Sequence, residues 1–137
     1  MNPEDPPMRK LAGVLIAFVA FEHLAFLVLE MFLWTSPTGM QVFGLTQDLA
    51  EQTSALAANQ GLYNGFLAAG LIWSLVKKSD AFSLQVFFLS CVVIAGIFGA
   101  LTAKTSILYV QGAPAMVALV LVVLASRQPE VRSSPSQ

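Results

Sequence analysis

A chain of 137 residues is about the length of one domain. It is 56% hydrophobic and 11% charged, against about 25% charged for an ordinary soluble domain, which excludes a soluble globule. A formal net charge of -1 offers no basic face for nucleic acid, and one cysteine (Cys91) with one histidine (His23) argues against an intrachain disulfide or structural zinc.

The first apolar run, Leu11 to Trp34, is 24 residues long, enough to cross a bilayer core of roughly 30 Å. Arg9 and Lys10 precede it as they would a signal peptide, but the stretch is too long and contains charges, so it reads as an uncleaved span. Three ionisable residues lie inside it: Glu22, His23 and Glu30. Burying such groups is costly, so they are expected to face protein or water rather than lipid.

The connection Thr35 to Asn59 opens with Ser36-Pro37-Thr38-Gly39, a turn sequence. It continues into Leu45 to Ala58, where Thr46 can cap a short interfacial helix whose Leu45, Leu49 and Leu56 share a face over the bundle mouth. Three further apolar runs follow at residues 60–76, 81–103 and 106–125, joined by the short turns Lys77 to Asp80 and Lys104 to Thr105. In lipid the backbone must satisfy its own hydrogen bonds, so all are expected to be helices.

The fold class expected is therefore all-α: a four-transmembrane-helix antiparallel bundle over residues 11–126, with an extracytoplasmic loop carrying the interfacial helix. Residues 1–10 and 127–137 are expected to be disordered tails. Arg9, Lys10, Lys77, Lys78, Arg127 and Arg132 fall on one side and only Lys104 on the other, which favours a cell-membrane protein with both termini cytoplasmic.

Depth then groups the polar residues. Glu30 lies near the outer end of the first span, Asn59, Gln60, Tyr63 and Asn64 in the first turns of the second, and Tyr109 and Gln111 in the first turns of the fourth. Amides and a carboxylate are costly in hydrocarbon unless they find partners, so these seven are expected to converge on one interior cluster. They either bond one another and fix helix register or bind a ligand.

His23 and Glu30, seven residues apart, share a face about 10 Å apart along the axis and could line one vertical cavity. Glu22 points about 100° away. Glu22, His23 and Glu30 are the candidate acid/base groups. His23 either bridges to a neighbour, with Ser90 at a similar depth, or handles protons; as a lone histidine it supplies too few metal ligands, and no cofactor is expected. Gly61, Gly65 and Ala69, and Ala95, Gly99 and Ala103, form small-residue rows that suit close packing within the bundle or across a homodimer. Pro114 is expected to disturb the fourth helix.

With these residues in hand, the chain resembles the small membrane-protein family catalogued as domain of unknown function 1304. The matching pieces are Glu22-His23, Leu29 to Trp34, Phe43-Gly44-Leu45, Ala58 to Gly65 (Ala-Asn-Gln-Gly-Leu-Tyr-Asn-Gly), and Gln111-Gly112 followed by Pro114. The resemblance covers roughly Leu11 to Ala125 and implies a four-helix membrane protein with no particular activity. Three functions stay open: a binding or transport module for a small amphiphilic molecule in an outward-facing cavity, a membrane enzyme with isomerase-like acid/base chemistry on a lipid or isoprenoid, and an accessory subunit. The bilayer itself is the one partner the composition requires.

Overall fold

The computed structural model describes residues 6–77 and 79–127. The described chain is all-α. Helix α1 spans Pro7–Met31, α2 Pro37–Phe43, α3 Gln47–Val76 and α4 Ala81–Thr102, and a π-helical turn, Leu108–Gly112, leads into α5, Ala113–Ser126. Among the described residues three stretches are long and apolar enough to cross a membrane: α1, α4 and Leu108–Ser126. They are consistent with a membrane protein.

Helix α1 starts four residues before the expected span. Pro7 occupies its first position, where the missing N–H would have had no partner and the fixed φ already suits a helix. Pro7 to Lys10 are therefore helical rather than part of a disordered tail. The expected tails otherwise fall at residues 1–5 and 128–137, outside the described residues. At its far end α1 stops at Met31, and the Phe32 and Leu33 N–H groups both close onto the Val28 carbonyl. Trp34 thus lies in a turn rather than in the span.

Residues Ser36 to Gly39 are not a simple turn but the start of α2. The Ser36 hydroxyl accepts from the Gly39 N–H (3.1 Å) and donates to the Leu33 carbonyl (2.7 Å), while Pro37 sits in the first turn. Gly44, at φ 69°, ends α2 in the left-handed conformation that glycine adopts without steric cost.

Helix α3 is the largest departure from expectation. The interfacial helix and the second span are one uninterrupted helix of 30 residues, roughly 45 Å at 1.5 Å per residue. Thr46 caps it, accepting from the Leu49 N–H (3.4 Å), and Asp48 in the first turn complements the helix dipole. No glycine or proline stands between Gln47 and Gln60, and Ala55, Ala57 and Ala58 favour continuation. Its first half is bound by polar pairs one turn apart: Gln47 donates to Glu51 (2.6 Å) and Gln52 to Asp48 (2.8 Å).

The four long helices pack as a ring: α1 against α3, α3 against α4, α4 against α5 with its π turn, and α5 back against α1. Helices α3 and α5 consequently lie across the diagonal. The core is formed by Ile16, Val19 and Ala20 of α1, Leu71 of α3, Leu89 and Val92 of α4, and Ala115, Ala118 and Val122 of α5.

Small residues set the crossings. A Cβ on Gly96 would come within 2.8 Å of the Gly112 Cα, and one on Gly70 would strike the Phe88 ring. Gly61 and Gly65 meet α1 at Met31 and Leu27, and Gly99 meets Ile107, whereas Ala69, Ala95 and Ala103 face outward. The disturbance expected at Pro114 takes the form of the π turn: with no Pro114 N–H to continue the pattern, the Ala113 N–H reaches back five residues to the Leu108 carbonyl.

Candidate functional site

The end of α1 meets the middle of α3 because Gly61 lacks a side chain. A Cβ there would lie 3.0 to 3.2 Å from Met31 and Glu30, so the two backbones approach closely. One turn further along α3, the Asn64 Nδ2 donates to Glu30 Oε2 at 2.7 Å. Asn64 is buried at 5% exposure, and the bond satisfies two polar groups that would otherwise be costly to bury. Only one carboxylate oxygen is used, which leaves Oε1 for another partner.

Glu30 also lines an open groove of about 510 Å³ between the end of α1, the turn at Leu45 and the first half of α3. Its walls are mostly apolar: Trp34, Leu45, Leu49, Leu56 and Ala57, with Thr53, Asn59 and Gln60 adding neutral polar groups. The Trp34 Nε1 donates to Thr53 Oγ1 (3.0 Å), Thr53 in turn donates to the Leu49 carbonyl (2.7 Å), and the indole packs on Phe43 of α2 at 4.7 Å between centroids. These contacts tie the turn after α1 to both neighbouring helices. The face Leu45, Leu49 and Leu56, expected to lie over the bundle mouth, forms one wall of the groove.

Of the seven residues expected to converge, the structure gathers four on the α1–α3 side: Glu30 and Asn64 in one hydrogen bond, and Asn59 and Gln60 along the groove. The other three do not join them. Tyr63 is turned about 100° from Asn64 by the helical pitch; it is half exposed and packs near Phe66. Tyr109 is 70% exposed, and Gln111 lies in the π turn leading into α5, the helix diagonal to α3. Depth alone carries no information on which helix faces which. Trp34 and Thr53 were absent from the expected set, although Thr53, Ala57 and Asn64 fall on one helical face, a pattern that could have pointed to them.

The groove lined by Glu30 does not include His23, the other residue of the expected vertical cavity. His23 is fully buried, with its ring edge-on to Phe26 at 6.4 Å. Its Nδ1–H donates to the Val19 carbonyl of its own helix at 2.8 Å rather than bridging to Ser90. A carbonyl can only accept, so Nδ1 carries the proton and Nε2 is the free position. That Nε2, and Oε2 of Glu22, are buried with no hydrogen-bond partner among the described residues. Glu22 and His23 thus form a second polar level, separate from the groove.

Residues 17–123 match the family described as Protein of unknown function (DUF1304), and the chain belongs to that family. It is also 31% identical over 115 residues to the Uncharacterized protein YpaA of Lactococcus lactis subsp. lactis (strain IL1403), covering 82% of this chain and 97% of that one. No solved structure matches the chain. The matched stretch includes the whole groove and all three ionisable residues of the expected first span.

Proposed function

We propose that the protein is a four-span integral protein of the cell membrane, and a binding or transport module that holds a small amphiphilic molecule in the groove beside Glu30. One observation carries this reading: a carboxylate, held by a buried amide and with one oxygen left over, ends a groove whose other walls are mainly leucine and indole. Concave sites with apolar walls and a few placed polar groups are the usual form of small-molecule sites. A purely structural role could be met by a neutral amide, without the cost of a carboxylate in hydrocarbon.

In this reading α1, α3, α4 and Leu108–Ser126 cross the bilayer, and the polar first half of α3 rises to its outer surface. The uneven distribution of Lys and Arg favours cytoplasmic termini, with the groove outside. Single cysteines at Thr38 and Ser134, in a Cys91→Ser background, test the orientation with an impermeant thiol reagent on intact cells. Thr38→Cys should label and Ser134→Cys should not; the reverse would overturn the orientation. Native mass spectrometry of the purified protein tests the function. The wild type should carry a bound small molecule that Leu56→Trp, which fills the groove, loses. A protein that carries none, or one retained unchanged by Leu56→Trp, would sink the reading.

A further inference from the structure

On that reading of the groove, we infer that its ligand is a cationic amphiphile, an ammonium head on an apolar tail, with the head beside Glu30. The lining contains one ionisable side chain, Glu30, and no lysine, arginine or histidine. An anionic head such as a phosphate or carboxylate would meet like charge and no counter-charge. Among the described residues no ion pair reaches Glu30. Arg9 and Lys10, on the same helix, lie about 30 Å away at 1.5 Å per residue. Among the described residues the neutral amide of Asn64 is the only hydrogen-bond donor on the carboxylate, and it occupies Oε2 alone. A carboxylate in apolar surroundings with one neutral donor is under-compensated, and a ligand cation at Oε1 completes it.

The rest of the lining fits the same molecule. The Trp34 indole borders the groove with its N–H committed to Thr53, so what it offers a ligand is its π surface, which attracts cations. Leu45, Leu49, Leu56 and Ala57 supply a wall for an alkyl or aryl tail. Specificity follows from a difference in affinity: the carboxylate favours an ammonium, tolerates an alcohol and rejects an anion.

Three probes with the same tail test this: dodecylammonium, dodecanol and dodecanoate, titrated into the full chain in neutral-lipid nanodiscs at pH 7. A Trp73→Phe background leaves Trp34 as the only tryptophan to report on the groove. Dodecylammonium should bind more tightly than dodecanol by on the order of tenfold or more. Glu30→Gln should erase that margin while leaving dodecanol binding in place, and dodecanoate should be the weakest of the three. Equal binding of dodecylammonium and dodecanol, or a margin that survives Glu30→Gln, would overturn the cation assignment and leave the groove standing. Dodecanoate binding as well as dodecylammonium to the parent protein would overturn it without recourse to any variant. If no probe perturbs Trp34, the groove reading falls and this inference with it.

Discussion

The two halves of α3 lie in different surroundings and are held by different forces. From Ala68 to Ser74 one face of the helix is enclosed, with Ala68, Gly70, Leu71 and Ser74 buried and Gly70 against the Phe88 ring, while Ala69, Ile72 and Trp73 face outward. From Gln47 to Gln60 it is largely exposed apart from Ala50 and Ala57. Besides the close approach at Gly61, it is tied to the end of α1 by the Trp34–Thr53 hydrogen bond and, just beyond, by Asn64 and Glu30. The contrast follows from the solvent proposed for each half. Between helices in lipid there is little hydrophobic drive, so the enclosed half must gain its stability from close contact. The groove half keeps space open and relies on a few directed bonds. Shape should therefore dominate stability in one half and polar chemistry in the other.

The largest effect is expected where shape dominates. Leucine at position 96 would push its Cβ to within 2.8 Å of Gly112 Cα and 3.0 Å of Gly112 N, both backbone atoms that cannot rotate away. Gly96→Leu should cost about 2–3 kcal/mol by overpacking, read as a lowered midpoint of thermal unfolding in detergent. Leu56→Ser, on the groove wall and 72% exposed, should change it by less than about 0.5 kcal/mol. Equal sensitivity at the two sites would remove the distinction between close-packed crossings such as Gly96–Gly112 and the groove half of α3.

An intermediate effect is expected at the bond between α1 and α3. Asn64→Leu removes the donor to Glu30 Oε2 and leaves a partly buried carboxylate oxygen unsatisfied, at a cost of about 1–2 kcal/mol. Glu30→Gln retains a carbonyl oxygen that can accept from Asn64, and should cost less than about 1 kcal/mol. A double-mutant cycle across the pair should give a coupling near the average for interhelical hydrogen bonds in membranes, about 0.6 kcal/mol, and no more than about 1.7 kcal/mol. A coupling of zero would mean that the pair does not hold the groove half together.

How much of this was legible in the sequence depends on the kind of signal each feature has. Helix α4 follows from hydropathy alone: the expected 81–103 is observed as Ala81–Thr102. The fourth run, 106–125, is matched by the π turn and α5 ending at Ser126, because an apolar run has its own length as evidence. The change of polarity at Ala58–Asn59 suggests two elements where α3 is one, yet polarity marks surroundings rather than a helix end. No proline stands there, and Asn59 and Gly61, which could serve as a C-cap, are taken into the helix instead.

Helix α2 is the opposite case: Ser36-Pro37 suggests a turn, yet serine before proline begins a helix as readily. In the candidate site, the spacing of Gln60 and Asn64 carries information, because residues four apart share a face of α3, but nothing in it points to Glu30 on α1. Tyr109 and Gln111 could not be placed, because a sequence of four helices does not state which pair lies on the diagonal. The separation of His23 from the groove was likewise hidden, since a histidine that bonds its own helix at Val19 leaves no pattern in the residues around it.

Small effects should also come from the two described residues with left-handed backbone, one at each end of α3. Gly44, at φ 69°, ends α2 on the groove side, and a Cβ there would meet no atom within 4 Å. Gly44→Ala should thus cost only the backbone penalty, about 1 kcal/mol. Asp80, at φ 60° and ψ 10°, begins α4 at the enclosed end and makes no capping bond with its side chain. Aspartate tolerates this conformation better than most residues, but glycine adopts it with no steric cost. Against that gain stand the greater flexibility of glycine in the unfolded chain and the favourable position of a negative charge at a helix N-terminus. The balance should be slight, with Asp80→Gly stabilising by about 0.5 kcal/mol or less. Asp80→Asn separates the two contributions, since it keeps the tolerance for positive φ and removes only the charge. If Asp80→Gly and Asp80→Asn both lower the unfolding midpoint by the same amount, the charge at the start of α4 outweighs the backbone conformation, and the enclosed end is not held by shape alone.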